Sequence, residues 1–87
     1  MDADKVLEDL EELDYPEEPG KEDLMNEITS YLEDIEVTFL ESIGQGRKAD
    51  YEARYDLGES ILKIFMDYES GYNPDLVEDY WFSTEKK

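Results

Sequence analysis

Acidic side chains outnumber basic ones 26 to 8 in a chain of 87 residues, and the resulting formal charge of −18 limits the fold more than any motif does. Like charges repel, so a compact state must hold them apart and in water, in a domain whose length already allows only a thin core. The rest of the composition still specifies a folded chain. Hydrophobic residues make up 39% and aromatics 13%, with seven Tyr, three Phe and one Trp, whereas disordered segments are poor in aromatics. A single acidic domain spanning residues 1–87 is therefore expected. The charge is uneven: residues 1–41 hold 16 acids and two bases, residues 42–87 hold 10 acids and six bases.

Two absences narrow the chemistry. Without Cys there is no disulfide framework or thiolate zinc site, and without His the common acid/base residue and metal ligand is missing. No catalytic signature occurs, and 87 residues leave no room for a pocket that would drive paired carboxylates apart in pKa, so no enzyme and no cofactor are expected. A negative field repels nucleic acid and anionic membrane, which excludes both as direct partners. Met1-Asp2-Ala3-Asp4 opens without a signal region and no stretch reaches membrane-spanning length, so the expected compartment is the cytoplasm of the producing or infected cell.

Periodicity predicts an all-α fold, a small bundle of about four helices. Val6, Leu7, Leu10 and Leu13 recur at helical spacing from Lys5 to Asp14, and the Tyr15–Gly20 segment with its two prolines stops that helix. A second helix starts near Lys21 and carries Leu24, Met25, Ile28, Tyr31, Leu32, Ile35, Phe39 and Ile43 to Gly44-Gln45-Gly46. Arg47 to Ser70 reads as a third, with a stripe of Tyr51, Tyr55, Leu62 and Phe65. Asn73 as cap and Pro74 at the first helical position open a fourth, with Leu76, Val77, Tyr80 and Trp81 on one face. An α+β reading stands beside it. Ile35, Val37, Phe39, Glu41 and Ile43, then Ala49, Tyr51, Ala53, Tyr55 and Leu57, alternate with period two around a glycine-containing loop, which predicts a central hairpin at about 35–57 flanked by helices. Asp56-Leu57-Gly58-Glu59 resembles a capping box and would start a helix there.

Candidate binding residues follow from the acids and the aromatics. On a continuous second helix Glu27, Asp34 and Glu41 stand seven residues apart, about 10.5 Å at the helical rise, with Asp23 one turn back and Glu33 beside them. Carboxylates at such intervals imitate the phosphate repeat of a nucleic-acid strand. The charge exceeds the magnitude of about 2–8 that solubility requires of a small domain. Tyr72 and Trp81, among Asp75, Glu78 and Asp79, suit a partner that presents Arg. Arg47, Lys48 and Arg54 are placed to neutralise acids of the first two helices. Asp67, Glu69, Gly71, Asn73, Asp75 and Glu78 approach an EF-hand ladder, but the glycine falls one position early and Pro74 stands inside the loop, so no metal site is expected.

In size, charge and lack of Cys and His, the chain resembles the small phage-encoded DNA mimics that block restriction enzymes or CRISPR effector nucleases. The local likeness covers residues 58–73. There Gly58-Glu59-Ser60-Ile61 opens a helix that runs through Phe65 to Ser70-Gly71-Tyr72-Asn73, similar to the latter half of one anti-CRISPR family that occupies the DNA-entry region of its nuclease. The resemblance implies an inhibitor encoded by a phage or mobile element, its partner a basic nucleic-acid-binding protein and above all a nuclease. An immunity protein that neutralises a cationic toxin nuclease would use the same electrostatics. An acidic helical adaptor without inhibitory role is the third reading.

Overall fold

The computed structural model describes residues 1–44, 48–70 and 73–87. Two helices, α1 (Ala3–Glu12) and α2 (Lys21–Asp34), precede four strands, β1 (Thr38–Gly44), β2 (Tyr51–Asp56), β3 (Ser60–Ser70) and β4 (Asn73–Lys86). The strands pair in chain order as an antiparallel meander, and both helices cover one face of the sheet.

Two of the four expected helices form, α1 two residues earlier than Lys5 and α2 starting at Lys21 as expected. The Asp2 carboxylate accepts the N–H groups of Asp4 and Lys5, which caps α1, and Val6 and Leu10 turn inward. After the breaker segment the Tyr15 hydroxyl donates to the Leu10 carbonyl at 2.6 Å, filling a vacancy at the end of α1. Gly20 is required by close approach, because a Cβ there would lie 2.6 Å from the Asp75 carbonyl oxygen. In α2 the residues Leu24, Ile28 and Leu32 are buried at i, i+4 and i+8.

α2 stops at Asp34 instead of continuing to Ile43, and the cause is local. The Val37 N–H donates to the Leu32 carbonyl and the Glu36 N–H to the Glu33 carbonyl, both at 3.1 Å, with Glu36 left-handed at φ 58°. This is the Schellman pattern, with a glutamate where glycine is usual. The chain leaves it extended and enters β1.

The all-α bundle is therefore overturned, and the molecule is α+β. The expected hairpin is present as β1 and β2, but strands rather than helices follow it. Asp56-Leu57-Gly58-Glu59 is the turn between β2 and β3, with Gly58 at φ 98° and its N–H donating to the Asp56 carboxylate. Asn73 and Pro74 open a strand, and the helix implied for residues 58–73 by the resemblance is mostly β3. Tyr51, Ala53, Tyr55, Leu62, Ile64, Met66 and Val77 meet the helices in one core. The opposite face carries Phe65 stacked on Trp81 at 5.3 Å, together with Arg54 and Lys63.

Candidate functional site

The two layers differ in charge. Residues 1–37, which form the helices and their connections, hold 15 acids and two bases, while residues 38–87 hold 11 acids and six bases. In the helical layer Lys5 pairs with Asp9 at 2.7 Å and Lys21 lies over the Tyr51 ring at 3.8 Å. The Lys5 ammonium draws the Asp9 carboxyl below its ordinary range, helped by the Tyr31 hydroxyl that donates to it at 2.7 Å. Burial, then that carboxylate, pushes the Tyr31 phenol up to about 12. This bond ties α1 to α2. Among the described residues no base pairs with Glu22, Glu27, Glu33 or Asp34.

Helical geometry sorts these acids into lines. Asp23, Glu27 and Asp34, four and seven residues apart, fall along one side of α2, with gaps of about 6 and 10.5 Å. Glu22 and Glu33, eleven residues apart, fall along the other side. All five are exposed. Asp23 also accepts the Gly20 N–H at 3.3 Å, so it serves the start of α2 as well. Both helices end in acids, Glu11 and Glu12 on α1 and Glu33 and Asp34 on α2, with no base in either last turn. The negative end of a helix dipole disfavours carboxylates there by about 0.3–1 kcal/mol each.

The remaining candidates scatter. Glu41 leaves the line expected for it, because the helix has ended; it sits on β1 across from Arg54 and pairs with that guanidinium at 3.2 Å. Asp75 stands beside the first turn of α2, where Gly20, Lys21, Glu22, Asp23, Met25 and Pro74 line an open cleft with it. Glu78 is exposed on β4 next to the irregularity that separates Val77 from Asp79 in the pairing with β3. Asp79 faces Asp67 across the β3–β4 ladder and Trp81 stacks on Phe65, both on the face away from the helices. Tyr72 lies outside the described residues.

The bases also act differently from expectation. Arg54 binds Glu52 and Glu41 on its own sheet rather than acids of α1 or α2, and Glu52 holds its proton affinity up. Lys63 pairs with Glu85 and Lys87 with Asp56, at 2.7 and 2.6 Å, which draws both carboxyls down. Lys48 approaches the Phe65 ring at 6.0 Å. Arg47 lies outside the described residues. The sheet's bases thus pair with acids of the sheet, and the helical layer keeps the larger excess. Among the described residues no group of three or more acidic side chains is placed to hold a metal ion, and no helix is long and apolar enough to cross a membrane.

No family model matches the chain, and neither a curated protein nor a solved structure matches it.

Proposed function

We propose that this protein is a nucleic-acid mimic, which inhibits a nuclease or another nucleic-acid-binding protein by laying its helical face in the cationic groove meant for DNA or RNA. The observation that carries this reading is the partition of charge: 15 acids against two bases in the helical layer, with two lines of exposed carboxylates along α2. A groove lined with Lys and Arg is built to receive anions at intervals of several ångströms, and long-range attraction speeds the encounter. The acids at the helix ends support the same reading, since the fold's own electrostatics disfavour them and a partner supplies a reason to keep them. The protein acts in the cytoplasm of the cell that makes it or is infected by its source, a phage or mobile element.

The test is affinity capture of nucleic-acid-binding proteins on the immobilised full chain, followed by challenge with duplex DNA and with salt. The expected result is recovery of proteins that DNA displaces and that a Glu27→Gln, Asp34→Asn variant recovers poorly. Captured proteins that do not bind nucleic acid, or that DNA fails to displace, would overturn the reading.

A further inference from the structure

The two edges of the sheet differ at their starts. Along β4 the Val77 N–H donates to the Pro19 carbonyl at 2.8 Å, and Gly20 lies against the Asp75 carbonyl, so the connection between the helices covers that edge at Asp75–Val77. Along β1 six of the seven residues are exposed, and among the described residues the backbone groups of β1 bond only to β2. Phe39 is 53% exposed and Leu40 45%, two of the four large apolar side chains that face water among the described residues, and they are neighbours. An edge strand with unpaired N–H and C=O groups is a template for a further strand, and adjacent apolar side chains give such a strand something to bury.

Charge selects the occupant. From Glu22 to Gly44 the chain has seven acids and no base, and Glu33, Asp34 and Glu36 stand immediately before β1. Paired antiparallel about the strand centre, a second copy of this chain would set Glu41 against Glu41. We propose that the β1 edge takes an extended basic segment of the inhibited protein as a fifth strand, its apolar side chains over Phe39 and Leu40 and its Lys or Arg toward Glu36 and Glu41. This rests on the reading that the partner is cationic, and it adds a contact that depends on backbone pairing and not on charge alone.

The experiment separates the two. The isotopically labelled full chain is titrated with three peptides as long as β1: alternating Lys and Val, the same peptide N-methylated at every residue, and alternating Glu and Val. Backbone amide shifts and amide exchange are followed. The Lys–Val peptide should shift the amides of residues 38–44 and slow their exchange, while the other two leave them unchanged. Leu40→Lys should weaken the Lys–Val peptide about tenfold without altering its effect on α1 and α2. If both cationic peptides shift only the amides of α1 and α2, the strand proposal falls and the cationic-partner reading stands. If no cationic peptide shifts any amide, the reading falls with it. Equal response to the Glu–Val peptide, or a dimer that sediments through β1, also overturns the proposal.

Discussion

Replacing Glu33 with Gln and Asp34 with Asn should make the protein more stable and a worse inhibitor. Both residues stand in the last turn of α2, exposed, without a base in that turn. Each carboxylate there opposes the helix dipole by about 0.3–1 kcal/mol, so the pair withholds about 1 kcal/mol from the fold. With an unfolding entropy of about 2.1 cal/mol/K per residue, a chain of 87 residues changes its Tm by roughly 5 °C for that energy. The assay is thermal unfolding by circular dichroism at two salt concentrations, alongside partner capture. Raising KCl from about 0.1 M to about 1 M shortens the screening length from about 10 Å to about 3 Å, so the gain should shrink by more than half. A Tm that stays level or falls in low salt, or a gain equal at both concentrations, would refute the electrostatic account of these positions. So would undiminished capture by the more stable variant.

Glu36→Gly should raise stability by about 1 kcal/mol, since glycine adopts the left-handed φ of 58° without a Cβ penalty; equilibrium urea unfolding measures it. Gly20→Ala should lower stability by several kcal/mol and melt the contact between α2 and β4, because the added Cβ would meet a backbone oxygen at 2.6 Å. Tyr31 carries a pH prediction. Its folded value of about 12 lies above the ordinary 10.0, so the unfolded chain loses the proton first, and stability should fall as pH rises from about 10 to about 12. Tyr31→Phe should reduce the slope of that limb in pH-dependent urea titrations, the likewise raised phenols of Tyr15, Tyr51, Tyr55 and Tyr68 keeping the rest. A variant that moves charge without changing its total, Glu27→Gln and Asp34→Asn with Ser70→Glu and Ser83→Glu, should capture the partner as poorly as the uncompensated pair; full capture would show that total charge suffices.

The helices were legible in the sequence and the later strands were not, for reasons visible in particular residues. α1 and α2 are amphipathic with one apolar stripe each, and Tyr15 to Gly20 punctuates them. The end of α2 was hidden because its C-terminal motif uses Glu36 instead of glycine, while Ile35, Phe39 and Ile43 keep helical spacing by coincidence with an alternating strand. β3 was misread because both of its faces carry apolar residues: Leu62, Ile64 and Met66 turn to the helices, Ile61 and Phe65 turn away. Filling both faces erases the period of two. In β4 the irregular pairing between Asp67 and Ser70 breaks the alternation near Val77, leaving Leu76, Val77, Tyr80 and Trp81 at helical intervals. Of the candidate residues, Asp23, Glu27, Glu33 and Asp34 needed only α2 and lie on it as placed, whereas Glu41 and Trp81 were placed by the wrong fold and lie on the other face.

Charge that serves only to keep a protein dissolved, or to hold it folded in concentrated salt, has no reason to prefer one layer. Here the preference is built into the pairing. Arg54, Lys63 and Lys87 each neutralise an acid on the sheet, and Glu52, nearly buried, needs its arginine because an unpaired buried carboxylate is costly. The sheet therefore uses bases on its own acids for structural reasons and keeps the smaller excess, 11 acids against six bases, while the helical layer, with Lys5 and Lys21 as its bases, keeps 15 against two. The consequence is a molecule with direction. A uniformly acidic sphere meets a cationic groove in any orientation, but a charge denser in one layer favours turning that layer toward the groove before contact, raising the fraction of encounters that are productive. The same orientation carries the C-terminal end of α2, and with it the exposed Phe39 and Leu40 of β1, to the rim of the contact. On the proposed reading, short-range burial there should lower the dissociation rate after electrostatics has set the association rate, so that the complex should stay tight where salt screens most of the charge.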